Sequence, residues 1–98
     1  MTVIRYVIVR GRVQGVGYRA WLADKAIELG LEGWVRNRRD GTVEAVVAGE
    51  GDAVGAMLAD CRRGPALARV EVVDARPGTA DDLAVSTSRE RFAVLPTV

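Results

Sequence analysis

Runs of β-branched and other apolar residues alternate along the chain with two segments of helical period. Residues 3–10 (VIRYVIVR) are apolar on both alternations, which is typical of a central strand. An Asp-Gly pair at 40–41 lies between two further runs of this kind and predicts a tight hairpin turn. The predicted strands cover residues 3–10, 33–37, 42–48 and 69–75, and a short fifth strand covers residues 91–95.

Two helices are predicted from apolar residues that recur at helical spacing. The first covers residues 18–29, ends before Gly30 and places its apolar residues on one broad arc. That arc contains Tyr18, Leu22, Ala23, Ala26, Ile27 and Leu29. The second helix begins with Asp52 as its N-cap and ends at Gly64-Pro65. Its core-facing stripe contains Val54, Met57, Leu58 and Cys61.

The order of these elements is β-α-β-β-α-β with a short C-terminal strand, and it predicts an α+β protein. Two helices on one face of a mostly antiparallel sheet form the ferredoxin-like two-layer α/β sandwich. We expect residues 1–98 to be a single domain, because no change in composition marks a boundary. Residues 77–90 are polar, and we expect them to be irregular.

Composition and charge exclude several classes of function. The net charge of +1 is far below that of a general nucleic-acid binder. The chain has no histidine and one cysteine, which removes the usual metal ligands and the usual general base. No run reaches the ~18 apolar residues that span a membrane. We expect a cytoplasmic monomer that binds no nucleic acid, membrane, metal or other cofactor.

The candidate chemistry begins at residues 11–19, which read GRVQGVGYR. We call residues 11–17 the glycine loop. Glycines there allow backbone N–H groups to converge at the start of the first helix, where the helix dipole is positive and anions bind. Arg19 has the wrong sign for that position and falls on the apolar arc, and a bound anion would resolve both conflicts. The alternative is that Arg19 reaches water at the rim and pairs with a surface carboxylate.

Two other phosphate motifs are considered and set aside. Residues 15–20 match the G-x-G-x-x-G/A dinucleotide pattern, but a strand and a hairpin follow instead of further βα units. The P-loop of nucleotide triphosphatases ends in Gly-Lys-Ser/Thr, and residues 18–20 (YRA) do not provide that ending.

The end of the second predicted strand is polar. Asn37 continues the core-facing alternation of its strand, so its amide could orient a water molecule beside an anion. Asparagine is also a common turn residue, and the pattern alone favours a turn role for Asn37. We expect Trp34 to be partly buried, and we expect Arg36, Arg38 and Arg39 to form a solvated strand end.

These stretches together resemble a known family. Residues 11–19 (GRVQGVGYR) and 33–37 (GWVRN) resemble the two signature stretches of the acylphosphatases, and residues 64–70 (GPALARV) are also similar. The resemblance extends from about Val7 to Val94. Tyr18 stands where the family often has phenylalanine, and Gly17 occupies a position that varies in the family.

The resemblance implies hydrolysis of acyl phosphates to a carboxylate and inorganic phosphate, without a cofactor. Arg19 matches the phosphate-binding arginine of the family, and Asn37 matches the asparagine that orients the attacking water, which replaces the turn role favoured above. The backbone N–H groups of the loop match the phosphate cradle. The substrate-binding residues implied are Gln14, Gly15, Val16, Gly17, Tyr18 and Arg19.

Two other functions remain to be compared with this one. The same loop could hold a phosphate or acyl phosphate without turnover, as a binding module related to the domains of carbamoyl-transfer maturation proteins. An RNA-recognition domain shares the order of elements but needs stacking aromatic residues on its first and third strands. The third predicted strand, residues 42–48, has none.

Overall fold

A computed structural model describes residues 1–98 of the protein. The fold consists of a five-stranded mixed sheet and three helices. The elements are β1 (Thr2–Arg12), α1 (Tyr18–Glu28), β2 (Glu32–Asn37), β3 (Val43–Glu50), α2 (Gly51–Arg63), β4 (Arg69–Pro77), α3 (Ala80–Leu83) and β5 (Phe92–Val94). The predicted ferredoxin-like α+β fold is confirmed, and the structure adds α3 to it. No helix is both long and apolar enough to cross a bilayer.

The order of the strands across the sheet is β4-β1-β3-β2-β5. β1 pairs antiparallel with β3 and β4, β2 pairs antiparallel with β3, and β2 pairs parallel with β5. The predicted Asp-Gly turn is confirmed between β2 and β3, because Gly41 N–H donates to Arg38 O at 3.1 Å and Arg38 N–H donates to Thr42 O at 2.9 Å. We call residues 38–42 the hairpin turn.

The main core lies between the sheet and the pair α1 and α2. Alternate residues of β1, β2 and β3 face this core, and Tyr18, Leu22, Met57 and Cys61 meet them from the helices. Ile27, predicted on the apolar arc of α1, is instead 57% exposed. The helix turns by about 100° per residue, which places the Ile27 side chain about 180° from that of Tyr18 around the helix axis. Ile27 therefore lies at the edge of the predicted arc, outside the part of α1 that the sheet covers.

The predicted N-cap of the second helix is wrong by two residues. β3 runs to Glu50 and α2 begins at Gly51 without an intervening loop, so Asp52 lies in the first helical turn. No side chain caps this helix, and Gly51 N–H donates to Met1 O at 3.0 Å. The Asp52 carboxylate still has a favourable position beside the positive end of the helix dipole.

The sequence pattern suggested that residues 77–90 are irregular, and this is wrong for part of the segment. The segment contains α3, which begins with a capping box between Thr79 and Asp82 and lies on the face of the sheet opposite α1 and α2. Trp34 is only 1% exposed beneath this segment, and its Nε1–H donates to Asp82 O at 2.9 Å. A helix of four residues is too short to show a hydrophobic period.

Candidate active site

One pocket, with a volume of about 230 Å³, brings the glycine loop and the end of β2 together. Its wall is formed by the loop, the first turn of α1, Asn37 and one residue of β5. The lining residues are Val13, Gln14, Gly15, Gly17, Tyr18, Arg19, Ala20, Asn37 and Val94. Val16, which the resemblance placed with the substrate-binding residues, packs against the main core and does not line this pocket.

The backbone of the glycine loop ends in an uncapped helix N-terminus. Gly15 and Gly17 have φ of 73° and 79°, and a Cβ at either position would meet no atom within 4 Å. Their conformation is therefore what requires glycine there. The first α1 hydrogen bond runs from Trp21 N–H to Gly17 O, and the N–H groups of residues 14–20 make no hydrogen bond within the protein. With no acidic residue in the first turn, these donors form a site of positive potential.

Arg19 is partly buried at this same helix end, and its guanidinium has no carboxylate within 4.0 Å. The alternative in which it pairs with a surface carboxylate is therefore not what the structure shows. A partly buried arginine without a partner, beside unpaired N–H groups, is suited to bind a tetrahedral oxyanion through two of its donors.

Asn37, at the end of β2, lines the same pocket as Arg19. It is 9% exposed, and its Oδ1 is a buried side-chain oxygen without a hydrogen-bond partner in the protein. Leaving such an acceptor unsatisfied costs about 1–3 kcal/mol, and an orphan of this kind requires an explanation. Asn37 belongs to β2 and precedes the hairpin turn, so the turn role that its residue type favoured is wrong.

The side chain of Tyr18 anchors the first turn of α1 to α2. Its hydroxyl donates to Cys61 O at 2.7 Å, and burial raises the pKa of Tyr18. Burial also raises the pKa of the Cys61 thiol to about 11, which makes this cysteine a weak nucleophile. Tyr18 therefore fixes the first turn of α1, which includes Arg19, to α2, while its ring lies in the main core.

Gln14 has a contact that sequence reasoning missed. Its side-chain Nε2 donates to Arg38 O at 2.7 Å and to Thr42 O at 2.8 Å, both in the hairpin turn. The resemblance implied a role for its backbone alone. Nothing in the local pattern indicates this contact, because the partners lie 24 and 28 residues away.

A different polar network lies on the opposite face of the sheet. Glu44 is buried there, accepts from Tyr6 Oη, and accepts from Arg36 Nε at 2.6 Å. The Arg36 guanidinium also lies 4.7 Å from the centre of the Trp34 ring. Arg36 is thus a partly buried member of a paired network, and its predicted place in a solvated strand end is wrong. No three His, Cys, Asp or Glu side chains are grouped so as to hold a metal ion.

Comparison with known proteins gives one family for nearly the whole chain. The acylphosphatase family model matches residues 5–92. An acylphosphatase of Rhodopseudomonas palustris (strain BisB18) is 56% identical over 97 residues, which is 99% of this chain and 98% of that protein. The structure of an acylphosphatase from Coxiella burnetii has a TM-score of 0.83 and 33% identity, and the match covers 96% of this chain and 93% of that chain.

A part of a much larger protein has the same fold. Full-length HypF matches with a TM-score of 0.83 and 22% identity, over 99% of this chain and 12% of that chain. At that identity the likeness shows the fold alone, whereas the relatives at higher identity match along nearly their whole length. The chain belongs to the acylphosphatase family of acyl phosphate hydrolases.

Proposed function

We propose that Arg19 and the backbone N–H groups of residues 14–19 bind the phosphoryl group of the acyl phosphate, and that Asn37 orients the attacking water. The observation that carries this proposal is the buried, unpartnered Oδ1 of Asn37 in one pocket with an unpaired guanidinium. An amide oxygen accepts a hydrogen bond from water, and the water oxygen is then directed at the phosphorus.

The chemistry requires positioning and charge neutralisation more than a strong base. Water forms a new bond to phosphorus, the bond from phosphorus to the acyl oxygen breaks, and the carboxylate leaves with the bonding electrons. The Arg19 guanidinium and the loop N–H groups stabilise the charge on the phosphoryl oxygens. Because an amide is not a base, we assign the proton of the water to the phosphoryl group itself.

Residues 1–98 are proposed to act as one domain, as a cytoplasmic monomer and without a metal ion. The glycine loop, the first turn of α1 and Asn37 line one pocket, so they can provide both the phosphate-binding donors and the water-orienting amide that the proposed reaction requires. The chain has one cysteine and therefore has no disulfide framework of the kind that small secreted domains use, which supports the proposed location.

The test is hydrolysis of benzoyl phosphate in the presence of a metal chelator, by the wild type and by Asn37→Ala. We expect turnover by the wild type, and a loss of about 10²–10³-fold in kcat for the variant. Inorganic phosphate should inhibit or bind both proteins with similar affinity, because Asn37 acts on the water. Phosphate binding by a folded wild type without turnover would instead identify a binding module.

A further inference from the structure

We infer that Gln14 is a positioning residue for this hydrolysis: its side chain holds the Asn37 end of β2 against the phosphate-binding loop. The inference rests on the proposed roles of Arg19 and Asn37. It concerns the Gln14 side chain, which is separate from any contribution of the Gln14 backbone to phosphate binding.

The geometry leaves the side chain no free donor for phosphate. A carboxamide NH₂ group has two hydrogens, and here both are used, on Arg38 O at 2.7 Å and on Thr42 O at 2.8 Å. The orientation of the amide is determined, because carbonyl oxygens only accept and the nitrogen must therefore face them. Gln14 thus acts on the hairpin turn and not directly on a bound anion.

The hairpin turn closes without help from Gln14. Gly41 N–H donates to Arg38 O at 3.1 Å, and Arg38 N–H donates to Thr42 O at 2.9 Å. The Asp40 carboxylate also accepts from the Thr42 N–H at 3.0 Å. What Gln14 adds is the link between the turn and the glycine loop, two segments that are far apart in the sequence.

Asn37 depends on that link because its own side chain is not anchored. Its Oδ1 has no partner in the protein, and no hydrogen bond of its side chain is made to another residue. The amide is therefore placed by its backbone, and the next residue, Arg38, is the one that Gln14 binds. A displacement of about 1 Å in a group that orients a reactant can reduce the rate about 10²-fold.

The experiment compares Gln14→Met and Gln14→Asn with the wild type. Methionine keeps the length of the side chain and removes both donors, while asparagine keeps the amide and shortens its reach. Arg91→Met is the matched control, because it removes a hydrogen bond from a side chain to a backbone oxygen, Gly30 O at 2.9 Å, away from the pocket. The measurements are kcat with benzoyl phosphate and the inhibition constant of inorganic phosphate.

We expect kcat of both Gln14 variants to fall about 10-fold to 10²-fold. The inhibition constant of phosphate should stay within about twofold, since Arg19 and the loop N–H groups remain. The control should keep its kcat. In an Asn37→Ala background, Gln14→Met should cause no further loss beyond about twofold, because the two residues act through the same water.

Three results would overturn the assignment. The first is an unchanged kcat in the Gln14 variants, and the second is a phosphate inhibition constant that rises in step with the fall in kcat. The third is a Gln14→Met substitution that lowers kcat as much in the Asn37→Ala background as it does in the wild type. If Gln14→Met does not fold, as judged by circular dichroism, the same criteria are applied to Gln14→Asn. Turnover by the wild type separates these results from failure of the proposed function, since a wild type without turnover removes both proposals together.

Discussion

Two cavities of nearly equal volume lie on opposite faces of the sheet and differ in how their polar groups are used. The pocket at the glycine loop measures about 230 Å³ and has one arginine, Arg19. The other cavity measures about 220 Å³ and is lined by three arginines, so we call it the arginine cavity. It is lined by Tyr6, Ile8, Arg10, Arg38, Asp74 and Arg76.

The arginines of the second cavity have other contacts or face water. The Arg76 guanidinium lies 4.4 Å from the centre of the Tyr6 ring, and Arg38 Nε lies 4.0 Å from an Asp40 carboxylate oxygen. In the pocket at the glycine loop, by contrast, the guanidinium of Arg19 has no carboxylate partner and the buried Asn37 Oδ1 has no hydrogen-bond partner in the protein. Unpaired groups that line one pocket, and not volume or the number of charges, distinguish the candidate site from the arginine cavity.

The largest expected effect is on activity, and it comes from substituting the arginine of one cavity but not an arginine of the other. Arg19→Met should reduce kcat/KM for benzoyl phosphate about 10³-fold, because a charge that stabilises the transferring phosphoryl group is lost. Arg76→Met, in the arginine cavity, should stay within about twofold of the wild type. Comparable losses from the two substitutions would mean that the arginine cavity takes part in the reaction.

The second prediction assigns stability, and not catalysis, to the network beside the arginine cavity. Glu44→Ala should lower the free energy of unfolding by about 2–3 kcal/mol, because Arg36 and Tyr6 lose their common acceptor. Glu44→Gln keeps an acceptor oxygen and should lose less. Urea denaturation measures the effect, and kcat/KM of the folded protein should not change. A fall in kcat/KM with unchanged stability would contradict the separation of the two faces.

The third prediction concerns alkaline pH and the buried thiol of Cys61. Burial of the thiol on folding raises the pKa of Cys61 from its ordinary value of 9.0 to about 11. Between pH 9 and 11 the unfolded chain has lost a proton that the folded chain keeps, so the free energy of unfolding falls as pH rises. From pH 8 to 10.5 the wild type should lose about 2 kcal/mol more than Cys61→Ala. Parallel pH profiles in urea denaturation would refute this account.

The smallest effect compares two glycines of similar conformation. Gly17 and Gly30 have φ of 79° and 71°, and neither would bring a new Cβ within 4 Å of another atom. Alanine at either position should cost about 1 kcal/mol of stability, measured by thermal unfolding. Only Gly17→Ala should also lower kcat/KM, by about tenfold, since it disturbs the N–H groups that we propose bind the phosphoryl group. Equal activity in the two variants would show that the loop conformation is not needed for the reaction.

The local pattern was sufficient where a feature depends on neighbours along the chain. The stripe of α2 and the apolar residues of β1 follow from the 3.6-residue and two-residue periods of their elements. The glycine loop and Arg19 were found for the same reason, because a loop and the helix that follows it are contiguous. The misplaced N-cap at Asp52 and the exposed Ile27 are errors at the ends and edges of elements, where periodicity carries least information.

The sequence by itself therefore determined the order of the five strands and the two long helices, the main core and, through its resemblance, the family. Only the tertiary structure decided which polar groups remain unpaired and what meets across the sheet. It placed Asn37 Oδ1 in the pocket without a partner, joined Gln14 to the hairpin turn, and covered Trp34 with α3. The physical reason is that periodicity records which face a residue presents, whereas a contact between distant segments depends on the order and register of the strands that carry them.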